Sequence, residues 1–271
     1  MKKIIAYIAS ILLALGMYAF QPLLNTAFAA TEYSLTPIQP SELPPSIKKA
    51  KSASVSILIS KPVQQTRIIY GDVAADYPDS EGLHVYVPMG YENVTVTKPV
   101  GIGSGFIGTH DGRVITAKHV VDDPDAHYTV ILDDGTEKPA TVAYKDPDND
   151  IAVVKIDGKY PTTATLGNSD ALIPGQNVTA IGNAAQYGKS LSEGSVVGFS
   201  KSIAAAARQN EVENLSGLIE TSAPMVPGFS GGPTIDADGA VIGMSIAIDA
   251  KNGLGFLIPI NVIRKSIAAT S

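Results

Sequence analysis

From residue 53 onward, apolar positions fall in short β-branched runs broken by Gly, Asp, Asn and Pro, the pattern of strands ended by turns. Six runs come first: SVSILIS (54–60), GFIG (105–108), RVITA (113–117), YTVIL (128–132), ATVAY (140–144) and IAVVKI (151–156). Six more follow: NVTAIG (177–182), SVVGF (195–199), GLIET (217–221), PTID (233–236), AVIGMSIAI (240–248) and GLGFLIPI (253–260). Helical periodicity between them is missing, which excludes a βαβ array. The pattern predicts an all-β chain of two antiparallel barrels or sandwiches. The best helix candidate is the final INVIRKSIAA, with apolar residues at helical spacing. Residues 61–100 form a long, partly polar insertion whose role periodicity does not reveal. Residues 31–47 carry four prolines and little periodicity, and they read as an extended arm serving as an oligomerisation contact or a linker.

The N-terminus changes what counts as the folded chain. Lys2 and Lys3 precede an apolar run from Ile4 to about Phe20, and Ala27-Phe28-Ala29 follows, the layout of a secretory signal cleaved after Ala29. The alternative is an uncleaved membrane anchor, because the run is near the length that spans a bilayer. The expected layout is a signal peptide over 1–29, an extended arm over 30–52, one sheet unit over 53–165 with the insertion 61–100, and a second over 166–271. Removing residues 1–29 takes away two lysines and no acid, so the net charge moves from −6 to −8. An acidic chain without Lys/Arg clusters is a poor partner for nucleic acid or anionic lipid. Cysteine is absent, which excludes thiolate catalysis and most structural zinc sites, and no metal or cofactor is expected. About 240 remaining residues can build a core without disulfides.

Candidate chemistry centres on PGFSGGP, residues 227–233. Glycines around one serine let backbone approach a ligand and permit positive φ. A nucleophilic Ser230 needs such a setting, because the oxyanion it creates must meet preorganised N–H donors worth about 3 to 4 kcal/mol each. The plainer alternative is a Gly-rich turn with an incidental serine. The same residues fit the G-x-S-x-G nucleophile elbow, but that arrangement places its histidine after the serine, and none follows Ser230. The base must therefore come from His84, His110, His119 or His127. His119 follows the apolar run RVITAK and precedes Val120 and Val121, at a strand end beside buried structure. The other three read as solvated loop histidines. Asp150 ends the polar loop KDPDND and precedes IAVVKI, so it can be buried while Asp146 and Asp148 stay in water. In chain order the three are His119, Asp150 and Ser230, the order of chymotrypsin-type barrels.

With these residues in place the sequence resembles a trypsin-like peptidase, and specifically the protease domain of the HtrA/DegP family. GSGFIGTHDGRVITAKHVV (103–121), DPDNDIAVVKI (146–156) and GFSGGPTIDADGAVIGMSIAI (228–248) resemble that family's histidine, aspartate and serine segments. Weaker similarity in LGNSDALIPGQNVTAIGNA (166–184) and GLGFLIPI (253–260) extends it to the C-terminus. The resemblance implies two antiparallel six-stranded β-barrels with a short C-terminal helix and the cleft between barrels. It implies an oxyanion hole at Gly228, Phe229 and Ser230, with the amides of Gly228 and Ser230 as donors. Substrate would lie as an extended strand beside Ile246, Ala247 and Ile248, with Pro224 near the base of the specificity pocket. No acid stands there, so cleavage is expected after small or medium aliphatic residues.

Three departures qualify the resemblance. Phe229 replaces the Asn that usually precedes the nucleophile. Ile246 stands where a hydroxyl residue supporting the aspartate is expected. No PDZ domain of the kind that usually follows is expected after Ser271, and regulation by such a domain in cis is expected to be absent. The leading expectation is an exported serine endopeptidase acting on extended or unfolded polypeptides, in the periplasm, cell wall or medium, with homo-oligomerisation left open. The rival is a non-catalytic or latent chaperone-like binding module on the same fold.

Overall fold

The computed structural model describes residues 43–74, 84–183, 188–206, 212–249 and 252–268. The expected signal peptide and the first part of the arm lie outside them. The expectation of an extended arm through residue 52 is corrected, because Pro45–Ala53 is a helix, α1. Pro45 sits in its first turn, where a missing N–H costs nothing. Ile47, Ala50 and Ala53 recur every third residue and bury one stripe.

Twelve strands follow: β1 Ser54–Ala74, β2 His84–Ile107, β3 Arg113–Thr116, β4 His127–Ile131, β5 Glu137–Lys145, β6 Ala152–Ile156, β7 Asn177–Asn183, β8 Lys189–Ala206, β9 Val212–Thr221, β10 Pro233–Ile235, β11 Val241–Asp249 and β12 Leu254–Pro259. They close two antiparallel barrels in the orders β1-β2-β3-β6-β5-β4 and β10-β11-β12-β9-β8-β7. A final helix, α2, spans Ile260–Ala268. Alternation points Val55, Ile57 and Ile59 of β1 inward, where they join Phe106, Val114, Val130, Ala152, Val154 and Ile156 in the first core. Val178, Ala180, Leu218, Ile235, Met244 and Leu257 are buried in the second barrel.

The insertion is a β-ribbon. β1 and β2 stay paired from Ser54↔Phe106 out to Ala74↔His84, with register shifts at Ile59/Ser60 and Ile69/Tyr70. Beyond the barrel the ladder carries cross-strand pairs: Gln64 Nε2 donates to Thr95 Oγ1 at 2.8 Å, Thr66 Oγ1 donates to Asn93 Oδ1 at 2.9 Å, and Arg67 pairs with Glu92. Each such pair is worth about 0.2 to 1 kcal/mol.

The barrels are fastened to each other by polar contacts. Lys189 Nζ, at the start of β8, reaches the Ser54 carbonyl and Asp133 Oδ1, both at 2.8 Å, and Lys51 Nζ meets the same carboxylate at 2.9 Å. Asn183 Nδ2 donates to Ser56 Oγ at 2.6 Å. Ser266 Oγ of α2 donates to Asp146 Oδ2 at 2.5 Å, 120 residues away in sequence.

Candidate active site

His119 sits in a single 3-10 turn, Lys118–Val120, immediately after β3. The turn is pinned because Ala117, Val120 and Val121 are buried. Gly103 makes room for it, since a Cβ there would lie 2.5 Å from Val120 Cγ1. These apolar anchors leave the imidazole 38% exposed at the surface of the first barrel.

Asp150 precedes β6 in a loop organised by a second aspartate. Asp146 Oδ1 accepts the amides of Asp148 and Asn149 at 2.9 and 2.8 Å and the Asn149 side chain at 3.0 Å. The Asp146 amide reaches the Ile151 carbonyl at 2.9 Å, closing the loop. The sequence-based expectation that Asp146 stays in water is corrected: it is only 7% exposed, because Ser266 of α2 covers it. Burial pushes its carboxyl up. The hydrogen bonds from Ser266, Asn149 and Asp148 outweigh that and hold it below the usual carboxylate range. A carboxyl whose folded pKa lies below its unfolded value stabilises fully above the unfolded value, and this contribution fades as pH falls through the folded one. Asp146→Asn is therefore expected to cost about 1 to 3 kcal/mol at pH 7. As pH falls below the usual carboxylate range the gap to wild type should narrow, because the wild-type carboxyl then takes up a proton too. Urea denaturation at pH 7 and in acid checks this, and a gap that widens in acid contradicts it.

The loop delivers Asp150 to His119. The Asp150 side chain is 4% exposed, and both its oxygens are bonded. Oδ1 accepts the His119 amide at 2.9 Å and Oδ2 meets His119 Nδ1 at 2.6 Å. A carboxylate oxygen accepts, so Nδ1 carries the ring proton and Nε2 presents a lone pair. Among the described residues no hydroxyl supports Asp150. Ser245 Oγ pairs instead with Thr234 Oγ1 at 3.2 Å.

Ser230 belongs to the second barrel. The segment before it turns tightly: the Phe229 amide donates to the Val226 carbonyl at 3.1 Å, and Gly228 at the third position has φ +103°. Pro second and Gly third with positive φ is a type II turn. Next, Gly232 N–H reaches the Phe229 carbonyl at 2.8 Å and Gly231 N–H reaches the Ser245 carbonyl at 2.7 Å. The Ser230 carbonyl accepts the Ser104 amide of the first barrel at 2.8 Å. Among the described residues the amides of Gly228 and Ser230 have no acceptor, and no hydrogen bond joins the Ser230 hydroxyl to His119. The two halves nonetheless abut: a Cβ on Gly231 would lie 2.9 Å from the Ala117 amide, two residues before His119. Phe229 is fully buried, with Gly182 of β7 leaving space for its ring. An apolar anchor worth about 2 kcal/mol thus replaces the polar residue that the family resemblance led one to expect before Ser230.

A cavity of about 250 Å³ opens beside Ser230, lined by Met225, Val226, Pro227 and Phe229 from the Ser230 loop and by Ser245, Ile246, Ala247 and Ile248 from β11. The β11–β12 register runs from Ser245↔Leu257 to Ala247↔Phe256, so Ile246 bulges out of the ladder. Pro224 is half-buried and is not among the lining residues. Met225 takes the place expected for it, lying over Gly255. No charged side chain lines the cavity; Glu220 is bonded by Ser200, and Asp249 Oδ2 accepts from Asn252 at 2.6 Å. His110 and His127 are exposed and separate from this cluster, His110 Nδ1 lying 2.7 Å from the Tyr160 carbonyl; His84 starts β2 on the ribbon.

Sequence reasoning passed over Met225 and Ser104 and placed Asp146 in water; Ser104 had a readable signal in its place between two glycines of GSGF.

Residues 103–244 match the trypsin-like peptidase domain family. A DegP-like protein of Pseudomonas putida strain W619, named a probable periplasmic serine endoprotease, is 32% identical over 231 residues, covering 80% of this chain and 46% of its own. The chloroplastic Protease Do-like 1 of Arabidopsis thaliana is 35% identical over 171 residues, covering 61% of this chain and 38% of its own. The chain thus spans about half or less of the length of these curated relatives. Among solved structures, the HtrA-type protease AlgW with a decapeptide superposes with a TM-score of 0.64 at 26% identity, covering 86% of this chain and 67% of that one. With a family match over more than half its residues and both barrels closed around the matching segments, the chain belongs to the trypsin-like peptidase domain family.

Proposed function

We propose that the chain is a serine endopeptidase that hydrolyses peptide bonds in extended or unfolded polypeptides by acyl transfer. Ser230 attacks the carbonyl, His119 Nε2 takes the proton and returns it to the leaving amine, and Asp150 orients the ring. The amides of Gly228 and Ser230 receive the oxyanion. Substrate adds as a strand beside Ile246, Ala247 and Ile248. The single observation that carries this reading is the His119–Asp150 pair, in which both carboxylate oxygens are spent on one residue and the ring tautomer is set.

The uncharged cavity supports a preference for small or medium aliphatic side chains before the cleaved bond. An arginyl side chain would bury a cation without a partner. Valyl and alanyl peptides are expected to turn over at least about 100-fold faster than arginyl ones, a difference of roughly 3 kcal/mol. Equal rates would remove the cavity from the specificity account. Ser230→Ala should abolish hydrolysis of both, and hydrolysis retained by that variant would assign the activity elsewhere.

The reading places the enzyme outside the cytoplasm. The basic start, the apolar run and Ala27-Phe28-Ala29 support export, as does the periplasmic naming of the Pseudomonas relative. Mature protein beginning at Ala30 on N-terminal sequencing is the expected outcome, and an intact Met1 on exported protein contradicts it.

A further inference from the structure

We infer that Ser104 is a positioning residue for the reaction: its hydroxyl, reaching across from the first barrel, holds the Gly228–Phe229 peptide that lies between the two oxyanion donors, so that the flanking amides of Gly228 and Ser230 point into the site. The inference rests on the proposed roles of the Gly228 and Ser230 amides. Ser104 Oγ lies 2.6 Å from the Gly228 carbonyl and 2.8 Å from the Asn183 amide. An amide can only donate, so the hydroxyl accepts from Asn183 and spends its one proton on Gly228. Ser104 is 1% exposed, so water cannot substitute.

The bonds around the nucleophile divide into two kinds. The Ser230 carbonyl is held by the Ser104 backbone amide, and the Phe229 carbonyl by Gly232, and neither bond depends on a side chain. The Gly228–Phe229 peptide is held by its N–H to Val226 and by its C=O to the Ser104 hydroxyl. Among the described residues the hydroxyl thus makes the only side-chain hydrogen bond to the carbonyls of Gly228, Phe229 and Ser230. Gly228 has the conformational freedom to leave φ +103° once released. Ser104 also ties this loop to the base: Thr116 Oγ1 donates to the Ser104 carbonyl at 2.7 Å, three residues before His119.

Ser104→Ala removes the donor to the Gly228 carbonyl and the acceptor of the Asn183 amide, and keeps every backbone–backbone bond. Loss of an oxyanion donor outright costs about 100- to 1,000-fold in kcat. A donor left in place but loosely aimed is expected to lower kcat by about 10- to 100-fold, with KM within about 3-fold of wild type. Affinity for a peptidyl boronate, which mimics the tetrahedral intermediate, should fall by the same factor as kcat. The pH midpoint of kcat should not move, because His119 and Asp150 are untouched. Ser104→Cys, close in shape and a weak donor, is the second variant should Ala fail to fold, and an intermediate loss is expected of it.

The inference is overturned if a folded Ser104 variant keeps wild-type kcat and boronate affinity while only its melting temperature drops, the mark of a purely structural residue. It is also overturned if KM rises with kcat unchanged. Wild-type protein that neither hydrolyses peptides nor binds the boronate would instead bring down the reading of the site on which the inference rests.

Discussion

Asp150→Asn is expected to lower kcat by about 10,000-fold with little change in thermal midpoint. Asp150 offers two acceptors to two donors of one residue, the His119 amide and Nδ1–H. Asparagine offers one acceptor and one NH₂. If its oxygen keeps the backbone amide, its NH₂ faces the ring and forces the proton onto Nε2. That nitrogen can then no longer accept the serine proton. Steady-state kinetics on a valyl peptide, with circular dichroism as the fold control, checks this. Activity within about 10-fold of wild type would mean that the ring needs no fixed tautomer.

Gly231→Ala is expected to cost about 3 kcal/mol of stability and to abolish turnover as well. Gly231 has φ +86°, and an added Cβ would collide with the Ser104 carbonyl oxygen and Thr116 Oγ1. Both partners are buried in the first barrel. Relief would require the Ser230 loop to back away from β3, the strand that leads into the turn of His119. Gly135→Ala is the control: φ is +83° there too, but an added Cβ meets nothing within 4 Å. It should cost only the left-handed penalty, about 1 kcal/mol, and leave kcat unchanged. Chemical denaturation of the two variants separates the terms. Equal losses at both sites would show that the close approach of the barrels at Gly231 is not tight.

Much of this architecture could be read from the chain because burial writes itself into strands as β-branched runs. Each of the twelve runs became a strand, and the terminal apolar spacing became α2. What could not be read lacked that signal or depended on distant partners. The ribbon continues β1 and β2 with exposed Gln64, Thr66, Asn93 and Thr95, and the Val94 and Val96 that alternate with the last two are only half-buried. Four prolines and little periodicity over 31–47 made the arm to residue 52 look extended, although Pro in a first turn and apolar residues at every third position also describe a short helix.

The same division holds at the site. His119, Asp150 and Ser230 stand out because each joins a polar function to a flanking apolar or Gly-rich run. Asp146 does not, because its burial comes from Ser266 at the other end of the chain. Met225 rather than Pro224 lines the cavity, a one-residue difference that local sequence cannot resolve. Phe229 reads as a flaw in a serine-protease loop until Gly182 is seen to make room for it.

The most direct measurement is labelling of the full chain with a fluorophosphonate, followed by mass spectrometry of the adduct. A serine reacts with such a probe only where a base and oxyanion donors are assembled around it. One adduct on Ser230, absent from Ser230→Ala and strongly slowed in His119→Ala, is the predicted result. A wild-type chain that takes up no probe, or carries it on a residue other than Ser230, would contradict the account.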